Sequence, residues 1–166
     1  MKGWIALEEN KSLDEGLNNL SLEQKMIRNR AFYSILEARP ITSNRLHEIT
    51  GMPFEQVETI IDDLAHRGMI EIDRERGVVG SHGLSLIETG HRLNINGQNL
   101  FTWCAADAVG IPAALNMDAL IKSECFSCKE PLTIKVSKGE TSFVSQPDLR
   151  VWVIKADLGK SIVGCT

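Results

Sequence analysis

At 166 residues, 43% of them apolar, the chain is long enough for one full core or for two small modules sharing one. Its net charge of −4 gives none of the basic surplus expected of a nucleic-acid binder. No apolar run approaches the ~20 residues of a bilayer-spanning helix, and the first residues, MKGWIALEENKSLDEG, contain no signal-peptide core, so a soluble cytoplasmic protein without membrane contact is expected.

Residues 1–20 are polar and read as a loosely held tail. Ser21 with Gln24 fits a capping box, and the helix it opens should run to about Ala38. Ile27, Ala31 and Ile35 form its apolar stripe, widened by Phe32 and Leu36, and Arg39-Pro40 ends it. Thr42 or Ser43 caps a short second helix carrying Leu46 and Ile49, stopped by Gly51. Pro53 stands near the start of a third, whose buried stripe is Val57, Ile60, Ile61 and Leu64, with Gly68 at its end. The stretch from Met69 to Gly97 alternates apolar and polar residues between glycines, as a twisted hairpin does, with Asn96-Gly97 as its final turn.

Three helices followed by a hairpin is the order of a winged helix. A DNA-binding use would put the third helix into the major groove, but between Pro53 and Arg67 it carries Glu55, Glu58, Asp62 and Asp63 against Arg67 alone. A structural role for residues 21–97 is the expectation, with no nucleic-acid partner. After the turn, LFTWCAADAVGIPAALN suits a buried helix interrupted near Gly110-Ile111-Pro112. ALIKSECFSCKEPLTIKVSKGE reads as strand, cysteine-bearing turn, strand, and RVWVIKADLGKSIVGCT as two further apolar strands. The fold class expected is α+β.

The four cysteines stand at 104, 125, 128 and 165. In a reducing compartment such residues serve as metal ligands, reactive thiols or packing rather than disulfides. Cys125-x-x-Cys128 has the spacing of half a zinc site, and Cys104 and Cys165 could complete it, giving a structural zinc protein or metal sensor. His47, His66, His82 and His91 show no ligand spacing and read as structural or solvated.

Trp103-Cys104-Ala105-Ala106-Asp107, then Ile111-Pro112-Ala113, Cys125, Pro131 and Val136-Ser137 resemble, in order and spacing, the organomercurial lyase (alkylmercury lyase) family over roughly residues 84 to 137. The resemblance implies a winged-helix-like N-terminal module followed by a mixed helix and antiparallel-strand lyase core at 98–166. It implies catalysis by Cys104 and Asp107, with Cys165 as the second catalytic cysteine. Cys125 matches a position regarded as structural in the family; Cys128 has no counterpart in the pattern. Family members continue beyond the second cysteine, whereas this chain stops one residue after Cys165, so an incomplete core is expected. Its last two apolar strands would present an open edge inviting a homodimer.

The implied chemistry needs these groups. Mercury is soft and prefers thiolates. A second thiolate pushes electron density through mercury onto carbon, which then accepts a proton and leaves as the hydrocarbon. The i, i+3 spacing of Cys104 and Asp107 would put both on one helix face, and the carboxyl could take the thiol proton and deliver it to carbon. Trp103, Ile111 and Pro112 supply apolar surroundings that raise a carboxyl pKa. Mercury would be held by Cys104, Cys165 and Asp107, with Cys125 and Cys128 as a secondary site. No cofactor is implied. The substrate is a small organomercurial, Hg(II) is a product, and external low-molecular-weight thiols or a mercuric reductase accept it. Without the resemblance, Cys104 would read as buried packing and Asp107 as a helix cap or surface carboxylate.

Overall fold

The computed structural model describes residues 19–151. Helix α1, Leu22–Leu36, begins where Ser21 and Gln24 satisfy each other's backbone N–H groups, at 3.2 and 2.8 Å. Its stripe of Ile27, Ala31 and Ile35 is fully buried, and so, unexpectedly, is Arg28 at 6% exposure. Thr42 caps α2, Ser43–Thr50, and Gly51 ends it with φ +71°, a left-handed cap that suits glycine. Helix α3, Phe54–His66, follows Pro53 and buries Val57, Ile60, Ile61 and Leu64.

Among the described residues eight strands follow, interrupted by one helix: β1 Ile70–Asp73, β2 Gly77–Ser81, β3 Leu84–Ser85, β4 Arg92–Ile95, β5 Gln98–Thr102, helix α4 Ala105–Leu115, β6 Ala119–Glu124, β7 Pro131–Ser137 and β8 Glu140–Val144. They form one sheet in the order β1-β2-β3-β5-β4-β6-β7-β8, every pair antiparallel. The α+β class expected from sequence is thus observed.

Tight turns set the register. Asn96-Gly97 joins β4 to β5 with φ +51° and +75°, as an I′ turn requires. His82-Gly83 does the same between β2 and β3, and Lys138-Gly139 between β7 and β8. The division placed at residue 97 falls inside the first of these turns, so the sheet is continuous across it. One apolar cluster joins the stripes of α1–α3 to Leu84, Leu93, Ile95, Leu100, Ile121, Ile134 and Val136. Helix α1 packs on β2 and β3, and α4 on β4 to β7.

The helix expected from Leu100 needs correction. Leu100–Thr102 belong to β5, because this strand is paired on both sides, by β4 and β3, and buries Leu100 and Thr102. The helix starts only after Cys104 and runs unbroken through Gly110 and Pro112. The strand–turn–strand reading of Ala119–Glu140 is observed as β6 and β7. The polar tail at 1–18 and the apolar run from Trp152 to Thr166 lie outside the described residues.

Candidate active site

Cys104 stands where β5 gives way to α4. It is the N-cap of α4, with extended backbone (φ −147°, ψ 171°), and its Sγ accepts the Asp107 amide N–H at 3.4 Å. The i, i+3 spacing is therefore a cap-to-N3 relation rather than two positions on a helix face: the chain turns into the helix between the two residues, and that turn brings thiol and carboxyl together.

The segment leading into the cap is fixed from both sides. Thr102 Oγ1 donates to the Cys104 carbonyl at 3.0 Å, and Thr89 Oγ1 to the Thr102 carbonyl at 2.7 Å. The Trp103 N–H donates to the Gly83 carbonyl at 2.8 Å. Trp103, 4% exposed, donates its indole N–H to Glu71 Oε2 at 3.3 Å, and the same oxygen accepts from Ser85 Oγ at 2.6 Å. The residue before Cys104 is thus tied to β1 and β3, in the part expected to be a separate module.

Gly83 presses on the carboxyl. A Cβ placed there would lie 2.3 Å from Asp107 Cγ, and its φ is +84°. Both facts require glycine. Sequence reading took Gly83 for hairpin punctuation; its approach to Asp107 depends on the β3–β5 pairing, which leaves no local signal.

Electrostatics place the proton. Burial pushes the Cys104 thiol up to about 11; the Asp107 N–H opposes this, while the Asp107 carboxylate adds to it. Burial also raises Asp107, opposed by hydrogen bonds from the Cys104 thiol and amide and by the charge of His91. His91, expected to be structural or solvated, lies within electrostatic reach of Asp107; burial lowers its pKa against the pull of that carboxylate. Its Nδ1 meets Ser123 Oγ at 2.5 Å, fixing the ring to β6. At neutral pH the thiol keeps its proton beside an acceptor.

Cys165 lies outside the described residues. Cys125 and Cys128 sit at the turn between β6 and β7, the first half-buried and the second exposed. No group of three or more His, Cys, Asp or Glu side chains among the described residues is arranged to hold a metal ion. An open concavity of about 690 Å³ among the described residues is lined by Asn94, Asn116, Asp118 and Lys135 among others and includes neither Cys104 nor Asp107. No described helix is long and apolar enough to cross a membrane.

Fold and site define an antiparallel α+β protein with a cysteine–aspartate pair at a helix N-terminus. The alkylmercury lyase family model matches residues 84–166. An alkylmercury lyase of Bacillus cereus is 32% identical over 122 residues, 74% of this chain and 54% of the relative; one of Streptomyces lividans is 30% identical over 128 residues, 77% and 58%. A solved structure described as the mercury-bound form of MerB2 superposes with a TM-score of 0.77 at 31% identity, covering 84% of this chain and 67% of the other. The chain belongs to the alkylmercury lyase family. It spans about half the length of the curated relatives it matches.

Proposed function

We propose that the chain cleaves the carbon–mercury bond of small organomercurials, with Cys104 as the capturing thiol and Asp107 as the proton carrier. The observation that carries this reading is the Cys104–Asp107 juxtaposition at the start of α4, where the Asp107 N–H donates to Cys104 Sγ and burial keeps the thiol protonated beside the carboxyl. When mercury approaches Sγ, the S–H bond breaks, the proton passes to Asp107, and an S–Hg bond forms. The small anion that came in on mercury leaves, and Cys165, its proton released to solvent, forms the second S–Hg bond. Density then moves through mercury to carbon, the C–Hg bond breaks with its electron pair on carbon, and Asp107 returns the proton there. The hydrocarbon leaves and Hg(II) stays on thiolates. Mercury enters as substrate and remains divalent throughout, so no reductant is needed. External thiols or a mercuric reductase then remove it.

Burial has a double use in this scheme. It raises Asp107, so the carboxylate is a better acceptor for the thiol proton and the carboxyl keeps that proton until carbon takes it. It also keeps the Cys104 proton in place until a soft metal displaces it. Incubation of the chain with phenylmercuric acetate and excess thiol should release benzene, and Cys104→Ser should release none. Equal benzene from both would remove Cys104 from the reaction; none from either would deny the activity to this chain.

A further inference from the structure

The β6–β7 hairpin carries a pair of thiols that the proposed cleavage does not use. Its loop is closed by the Cys125 N–H on the Glu130 carbonyl and the Lys129 N–H on the Cys125 carbonyl, each at 2.9 Å. Lys129 turns the chain with φ +60°. This fold-back brings Cys125 and Cys128, three residues apart across the closed loop, onto one tight turn with their side chains close together. Cys128 is exposed, and Phe126 beside it is 87% exposed with Lys129 Nζ 5.3 Å from its ring centre.

The sheet puts this tip at the same end as Cys104. Arg92 of β4 sits opposite both Phe101 of β5 and Lys122 of β6. Strands β5 and β6 therefore run out in the same direction, two strand spacings or roughly 10 Å apart. Cys104 comes three residues after Phe101, and Cys125 three residues after Lys122.

We infer that Cys125 and Cys128 form a second mercury site, a chelating dithiol that holds one Hg(II) ion in two-thiolate coordination. The binding stands on the hairpin itself; its service as a first acceptor of product rests on the cleavage proposed at Cys104. Two S–Hg bonds form. The proton of each thiol still carrying one goes to solvent, any small thiolates on the incoming ion leave, and no oxidation state changes. Zinc is disfavoured, because a structural zinc site takes four protein ligands and no third ligand joins this pair among the described residues.

The test uses mercuric chloride with a large excess of a monothiol, which strips singly held mercury. The full chain carrying Cys104→Ser and Cys165→Ser should retain one Hg(II) per chain by native mass spectrometry. Adding Cys128→Ser should weaken retention on the order of 100-fold or more, the loss expected when a chelate becomes a single contact. No retention in the first variant, or unchanged retention in the second, overturns the site, as does zinc held between two hairpins in a dimer. In the unaltered chain, Hg(II) should protect Cys125 and Cys128 from alkylation together; independent labelling overturns the pair even if a variant fails to fold. Mercury capture here without benzene release would refute the cleavage reading and leave the dithiol standing.

Discussion

At Cys104 two effects of opposite sign meet. A helix N-terminus and the Asp107 N–H lower a thiol pKa, while burial and the Asp107 carboxylate raise it; the raising effects win and leave it at about 11. Asp107→Asn removes the carboxylate's share, so the Cys104 thiol of that variant should titrate below 11, though still above an exposed cysteine because burial remains. Alkylation rate against pH checks this, and an unchanged or higher titration point would contradict it. His82 shows the reverse case. Burial first, then the charge of Arg28, lowers it from 6.5 to about 4, and its Nε2 is buried without a partner. Between those values the unfolded chain binds more protons than the folded one, so stability from this group is full above about pH 6.5 and lost as pH falls toward 4. His82→Asn, which tolerates the left-handed φ of +51°, should narrow the gap between urea midpoints at pH 5 and pH 7. An undiminished gap would show that the acid sensitivity lies elsewhere.

Elements were legible in proportion to how local their causes are. The Ser21–Gln24 box, the Thr42 cap and the stripes of α1 and α3 depend on neighbours within one or two turns, and the structure keeps them. The Leu100–Thr102 stretch was misread because its strand identity comes from partners on both sides, Leu84 and Ser85 of β3 and Arg92 to Ile95 of β4. The same long-range pairing hides Gly83, whose role is visible only once its turn lies on Asp107. Gly83→Ala adds a methyl into the carboxyl at a positive φ. The expected cost is about 1–3 kcal/mol from the backbone alone, with a fall in benzene release larger than in a variant of equal stability elsewhere. Urea melts and turnover measured together check it; wild-type values for both would remove Gly83 from the account of the site.

For the whole molecule, the three-helix part shares one core and one sheet with the part bearing Cys104, and Glu71 of β1 holds Trp103. The acidic residues of the third helix, Glu55, Glu58, Asp62 and Asp63, are all exposed in α3. No salt-sensitive retention of duplex DNA should appear in a mobility-shift assay at micromolar chain; such binding would give the helices another purpose. The Cys104–Asp107 half of the expected site is brought together, while Cys165 falls beyond the described residues. The central claim, that capture belongs to Cys104 and protonation of carbon to Asp107, is tested most directly by the intact mass of Asp107→Asn after a single exposure to phenylmercuric acetate. The amide cannot relay a proton, so the variant should accumulate as a protein–mercury–phenyl adduct on Cys104 with little benzene. Benzene at the wild-type rate, or no adduct at all, would contradict the assignment.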